Sequence, residues 1–411
     1  MFACRHKVNQ KVFTRTRKLP FGNILQLLIR KSVKSLTLRL REWVGEVSAS
    51  AFTQARRKFR HTAFIELLEK GVVETMYADD DFEKFKGHRL LAIDGSSLRL
   101  PNTRETRETF GVIEHLNGNE KSCTGVQVEA KMTVLFDVLN KMPFSAYLHK
   151  GRKSDLRASK LHLPDLKERD LLLADRAYGS YQFFAEIIGK KADFVIRCKR
   201  KTFERYHKLF SDTQACERVV ELRIPHTLVD DETIPKRLAV RFISIVLGDG
   251  EVEVLATSLL DTKRYRYRDF KRLYYQRWRI ETYFHTLKSR LSIDNFTGKT
   301  VEAIYQDFYS TIFLSGLESV VTLEATEQLR SRDTKNSLQV NKAVSFHVLK
   351  TQALELLFEQ PPDFQEQITK LFLLNPISVR PNRIPPPRKT TDRGANRSSL
   401  YFQRFARKHV F

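Results

Sequence analysis

The chain has 411 residues, and its 72 Lys and Arg against 48 Asp and Glu give a formal net charge of +24. That length allows a sizeable core and about two or three structural units, and the charge makes a polyanion the first partner to consider. No stretch approaches the roughly 18–20 apolar residues of a membrane-spanning helix. The four cysteines lack CxxC spacing and read as reduced intracellular thiols, while eleven histidines without HxxxH or HExxH leave a zinc site unsupported.

Residues 1 to about 85 read as helical. The first part, to Arg41, is basic and acid-poor but lacks the apolar segment of a secretory signal. A transit peptide is the lesser reading beside a cytosolic, nucleic-acid-facing one. Ile24–Ile29 and Val33–Val44 carry helical spacing. Ser48 or Ser50 can cap a helix through Phe59, and Thr62–Lys70 supplies another before Gly71. Arg56, Arg57, Lys58 and Arg60 lie on or just after the first of these. Charge runs are usually solvated faces. In so basic a segment the reading is DNA contact, with a helix-turn-helix among the options.

From Arg89 the texture changes to strands. RLLAIDGSSLRLP has an apolar run that is expected to end on Asp94-Gly95. KMTVLFDVLN and MPFSAYLHKG follow as extended runs of an antiparallel meander. Ser154-Asp155 caps a short helix, LLLADRAYGS is an apolar strand ending at Asp175, Ser180 caps a helix through Ile188, and DFVIRCK is a further strand. Beyond Lys201, alternating polar and apolar residues as far as about residue 250 predict an antiparallel insertion. VEVLATSLL returns to the main sheet or closes the insertion. YYQRWRIETYFHTLKSRL, Tyr274–Leu291, is expected to be one helix of about five turns. On it Glu281 would share a strip with Tyr274, Arg277 and Lys288, beside an apolar strip of Ile280, Phe284, Leu287 and Leu291. An apolar helix from Ala303 and a helical stretch from Val344 to Phe358 follow. From Arg380 onward a basic, proline-containing tail is expected to be disordered or loosely docked.

Asp94, Asp175 and Glu281 together carry the chemistry. An Asp at the end of an apolar strand must be paired, hydrogen-bonded or bound to a metal. Two such strands and a helix bearing Glu281 can set three carboxylates around one point, a ligand set suited to Mg²⁺ and to phosphodiester chemistry. Taken singly, each has a plainer reading: a strand-ending turn at Asp94-Gly95, a local ion pair at Asp175-Arg176, and a weak i,i+4 salt bridge between Arg277 and Glu281.

The spacing Tyr274-x2-Arg277-x3-Glu281-x6-Lys288 resembles the Y-(2)-R-(3)-E-(6)-K signature of DDE transposases of the IS-four insertion-sequence family. AIDGSSLRLP and LLLADRAYGSYQFF resemble that family's two aspartate motifs in the same order, and SAFTQARRKF resembles its N-terminal segment. The resemblance covers roughly residues 45 to 320. It implies an α/β fold: a ribonuclease-H-like catalytic core with a β-rich insertion, preceded by an all-α N-terminal domain and followed by a helical and basic C-terminal region. The corresponding divisions are a DNA-binding domain at 1–85, a catalytic domain at 86–325 with its insertion at 201–255, a helical region at 326–379 and a tail at 380–411.

The resemblance further implies cut-and-paste transposition of double-stranded DNA, with cleavage at the element's ends and strand transfer into a target. Asp94, Asp175 and Glu281 would hold two Mg²⁺ ions, with Mn²⁺ able to substitute. Tyr274, Arg277 and Lys288 would contact DNA phosphates. The expected setting is a homodimer in a synaptic complex in the bacterial cytoplasm, at the nucleoid and away from membranes. Relatives that cut through a hairpin can hold a flipped base on a Trp of the insertion. Here the only Trp residues are Trp43 and Trp278, so Phe203, Tyr206 and Phe210 are the stacking candidates, with a core role as the plainer reading. Ala177 replaces a Gly common among relatives. The competing readings are an inactive DNA-binding derivative and a nuclease without strand transfer.

Overall fold

The computed structural model describes residues 2–379, apart from residues 16, 33, 117–122, 201–202, 205, 207, 209, 211–215, 247–251, 353–354 and 356–361. The expected tail from Arg380 lies outside the described residues. Contacts divide the chain into two compact units, Met76–Ser289 and Met1–Thr75 with the segment from Arg290 onward.

The first unit is built on a nine-stranded mixed sheet. Its strands are β1 (Arg89–Leu100), β2 (Ile113–Leu116), β3 (Cys123–Asp137), β4 (Met142–Lys150), β5 (Asp170–Ala174), β6 (Asp193–Arg197), β7 (Glu217–Arg223), β8 (Arg237–Val246) and β9 (Val252–Thr257). The order is β2-β3-β1-β5-β6-β9-β8-β7, with β4 also paired to β3. β1, β5 and β6 run parallel; β3 is antiparallel to β1, and β4 antiparallel to β3, as a meander. Leu171–Ala174 and Phe194–Ile196 are buried, as expected of short parallel strands covered on both faces. This is the ribonuclease-H-like arrangement.

Leu91, Ile93, Leu172, Ala174, Phe183, Phe184, Phe194 and Phe242 belong to one buried cluster. It unites the central strands, the helix Tyr181–Gly189 and the insertion. The insertion strands β7, β8 and β9 are therefore continuous with the main sheet: β9 pairs antiparallel with β6, and β8 with β9. Phe203 and Phe210 lie in the same cluster, and Tyr206 stacks on Phe242 at 4.1 Å between ring centroids. These aromatics are thus part of the core and not a free stacking platform.

Two elements differ from the sequence expectation. β1 does not end at Asp94-Gly95. Its pairing with β3 continues through Asp94↔Val134 and Gly95↔Thr133 to Leu100, because β3 is long enough to template it. The single helix expected over Tyr274–Leu291 is two helices, Tyr267–Tyr275 and Trp278–Ser289. At the junction the amides of Gln276, Arg277, Arg279 and Ile280 each bond a carbonyl three residues back. This tighter winding re-aims the second helix.

The other unit is helical, with a two-stranded sheet, Leu338–Gln339 against Ile377–Ser378. Its N-terminal helices are Phe21–Ile29, Leu36–Trp43, Ala49–Arg56 and Thr62–Leu68, the third capped by Ser48 through the Ala51 amide. The 21-residue helix Val301–Val321 is buried on most sides and packs on Phe21–Ile29 and Thr62–Leu68. The later helices include Lys342–Thr351 and Phe364–Phe372. No helix among the described residues is long and apolar enough to cross a membrane.

Candidate active site

Register brings the two aspartates to one level. The parallel ladder of β1 and β5 ends at Ala92↔Leu173. Asp94 on β1 and Asp175, the first residue beyond β5, each lie two residues past that pair, so the direction of the ladder carries both to the same end of the sheet. The helix Trp278–Ser289 packs against β1 and carries Glu281. It is fixed by the buried side chains Ile280, Phe284 and Leu287, and Tyr283 stacks on Phe136 at 4.5 Å. At its far end the Lys288 ammonium donates to Ser96 Oγ at 2.8 Å and to the Ser97 carbonyl at 2.9 Å, gripping β1 just past Asp94.

The Asp94 carboxyl is pushed up to about 6, first by burial and further by the charges of Asp175 and Glu281. The Gly95 amide and the Arg277 guanidinium oppose that rise. Asp94 therefore senses both of the other carboxylates, yet each of the three is turned to a local partner. Asp94 Oδ1 accepts from the Gly95 amide at 2.8 Å, Asp175 Oδ1 from the Ala177 amide at 2.6 Å, and Glu281 Oε1 pairs with Arg277 Nη1 at 3.0 Å. Among the described residues no group of three His, Cys, Asp or Glu is spaced to hold a metal ion. The donor chemistry nevertheless suits a hard cation, because the donors are all carboxylate oxygens and the raised Asp94 carboxyl is relieved by divalent charge.

Tyr274 and Arg277 sit deeper than a surface phosphate contact requires, at 5% and 6% exposed. Tyr274 Oη and Arg277 Nε are buried without hydrogen-bond partners, which leaves two donors unused beside Glu281. Burial raises the Tyr274 phenol above its ordinary range. Tyr275 and Trp278, at the helix junction, are about half exposed, and the Arg277 guanidinium lies 4.8 Å from the Trp278 ring centroid.

The N-terminal basic run divides. Arg57 and Arg60 are exposed and Lys58 is half-buried. Arg56 is buried and fully engaged, donating to Gln306 Oε1 at 2.5 Å, Thr297 Oγ1 at 2.7 Å, the Ala303 carbonyl at 2.7 Å and Asp307 Oδ1 at 2.8 Å. This corrects the expectation for Arg56: its guanidinium is an internal tie of the helical unit. The helical unit also holds a groove of about 630 Å³ lined by Lys11, Arg15, Arg17, Lys18 and Lys58, which no motif in the sequence marks. The density of cations near the N-terminus was its available signal.

Residues 85–315 match the family described as the transposase DDE domain. The transposase InsG for insertion sequence element IS4, from Escherichia coli (strain K12), is 22% identical over 290 residues, covering 69% of this chain. The match spans 63% of that relative, less than two thirds of its length. A cryo-EM structure of a piggyBac transposase synaptic complex with hairpin DNA matches with a TM-score of 0.42 and 11% identity, covering 93% of this chain and 79% of that one.

Proposed function

The chain belongs to the transposase DDE-domain family, and on that footing we propose that it cleaves double-stranded DNA at the ends of its own element and joins the freed ends to a target. The observation that carries this reading is the common level of Asp94 and Asp175, with Glu281 close enough to act on the Asp94 charge. Asp94, Asp175 and Glu281 would hold divalent ions, Mg²⁺ or in its place Mn²⁺. Bound there, such ions stabilise the attacking and leaving oxygens of a phosphodiester.

The chain's own residues prepare that site. Arg277 neutralises Glu281 in the free protein. A DNA phosphate on Arg277 would release Glu281 to hold an ion and would offer the unused Nε and Tyr274 Oη a partner. Lys288, gripping β1, adds a point charge for the same backbone. Arg57, Lys58 and Arg60 of the helical unit contribute non-specific attraction. We assign the DNA-binding role to residues 1–85 and chemistry to the sheet unit, acting as a homodimer on paired ends at the nucleoid. A hairpin intermediate is not assigned, since Phe203 and Phe210 are core residues.

The commitment of each of the three carboxylates to a local partner fits a second reading, a DNA-binding derivative without catalysis. Cleavage of DNA carrying the inverted repeats that flank the coding sequence, assayed with Mg²⁺, separates the two. Asp94→Ala, Asp175→Ala and Glu281→Ala are each expected to cut at least about 1000-fold more slowly, while still binding DNA. Wild-type cleavage by Glu281→Ala overturns the assignment. A wild-type chain that binds these ends but never cuts them establishes the second reading.

A further inference from the structure

Behind Asp94 stands a fourth carboxylate that the site just described does not use. Ser154 Oγ accepts from the Arg157 amide and caps the short helix Asp155–Ser159, which packs on β1 and β3. Its first residue, Asp155, meets Lys131 of β3, with Nζ–Oδ1 at 2.8 Å. Lys131 lies opposite Ser97 of β1, so this pair forms over β1, three residues past the candidate catalytic Asp94.

Gly95 shows how close the approach is. A Cβ built on it would lie 2.4 Å from Asp155 Oδ1, nearer than atoms can pack. The carboxylate oxygen occupies the space of the missing side chain. Because side chains alternate along a strand, Asp155 and Lys131 press on the face of β1 opposite the one that Lys288 grips through Ser96. The peptide between Asp94 and Gly95 is thereby held from both sides. That peptide's amide donates to Asp94 Oδ1 at 2.8 Å, so fixing it fixes the carboxylate.

A buried phenol ties the same elements together. Tyr178, three residues after Asp175, is fully buried, and its hydroxyl accepts from Ser159 Oγ at the end of the short helix at 3.2 Å. It is pushed far above its usual range by burial, then by the charges of Asp94, Asp155 and Asp175, so it lies within reach of all three.

We propose that Asp155 and Lys131 are a positioning pair that holds the Asp94–Gly95 peptide, and with it the Asp94 carboxylate, in the orientation that binds a divalent ion. The inference rests on the reading of Asp94 as a metal ligand. Asp155 is set apart from the three carboxylates, since it lies against Gly95, on the face of β1 opposite to Asp94, with its Oδ1 paired to Lys131. Supporting residues of this kind commonly carry about 10–100-fold in metal affinity.

The test is a titration of the full chain with Mn²⁺, reading free ion by electron paramagnetic resonance. Asp94→Ala serves as reference, and melting temperature and DNA binding confirm folding. Asp155→Asn and Lys131→Met are expected to weaken Mn²⁺ binding about tenfold at unchanged melting temperature, and Lys131→Arg to restore it. Asp155→Asn keeps the shape of the residue, so a fault in folding is separable from loss of the pair. If Asp94→Ala weakens binding while both pair variants bind like the wild type, the positioning role is overturned. Should Asp94→Ala itself bind Mn²⁺ like the wild type, the metal reading falls and the inference with it.

Discussion

Each of the two units withdraws an aspartate from water, Asp307 wholly and Asp94 in part, and they treat it in opposite ways. In the helical unit Asp307, on the helix Val301–Val321, is fully buried and fully answered. Arg56 pairs with it at 2.8 Å, and Thr297 donates through its amide at 2.5 Å and its hydroxyl at 2.9 Å. In the sheet unit Asp94 takes its hydrogen bond from the neighbouring Gly95 amide, while Asp175 and Glu281 add unfavourable charge. A buried charge with a complete set of partners is part of the framework. One whose surroundings disfavour its ionised form marks a place where another charge belongs.

Substitution should separate the two sharply. Asp307→Ala leaves the Arg56 guanidinium buried without its counter-charge, and is expected to lower stability by about 3–5 kcal/mol, read by chemical denaturation. A loss under about 1 kcal/mol would place Asp307 among ordinary polar residues and erase the contrast.

The sheet unit should also be acid-sensitive through its histidines. Thr133 Oγ1 is shared by His149 Nε2 at 2.9 Å and His162 Nε2 at 3.0 Å, and Ser145 Oγ bonds His162 Nδ1 at 2.7 Å. Burial, then the charges of Lys153 and Lys131, lowers His149 to about 4, and burial, then His149, lowers His162 to about 3. The unfolded chain takes up these protons near 6.5, so this stability is fully present above about 6.5 and is lost as pH falls from there towards 4 and then 3. Melting temperature followed from pH 7 to pH 4 should drop, and less steeply in His162→Gln. Parallel curves for the two proteins would remove His162 from the account.

Asp94→Asn is expected to act in the reverse sense to Asp307→Ala, abolishing cleavage while raising stability at pH 7 by about 1–2 kcal/mol. Here the folded carboxyl sits above its unfolded value, so ionisation costs stability above about pH 6, and the cost vanishes below about pH 4. A lowered melting temperature would mean that Asp94 is held as Asp307 is. The smallest expected effect belongs to Lys288→Ala, which should reduce the slope of log affinity against log salt for DNA by about 1. An unchanged slope would confine Lys288 to its bonds with Ser96 and Ser97.

The order of elements was legible because hydrophobic period and capping residues are local signals. Ser48, Ser154 and Ser180 cap the helices expected of them, and the apolar LLLA run is the buried β5. What failed depends on neighbours remote in sequence. An Asp-Gly pair ends a strand unless a long partner strand carries it onward, as β3 does. The break at Gln276 has no Gly or Pro to announce it. Arg56 looks like its neighbours in the basic run, and only Asp307, 251 residues later, separates them. The pairing of Lys131 with Asp155 was hidden similarly, since Asp155 read as nothing more than the first residue after a cap.

The continuity of the sheet has a mechanical consequence. β9 is hydrogen-bonded to β6, β6 to β5, and the chain leaving β5 carries Asp175. β8 is tied in as well, through the buried Arg241, which donates to the carbonyls of Leu259 at 3.2 Å and Tyr265 at 2.9 Å. A force applied to β7–β9 is therefore transmitted as shear along a stiff lattice to the strand beside Asp175. The insertion is thus built as a lever arm rooted in the main sheet, with hydrogen-bonded strands where a flap would need a hinge.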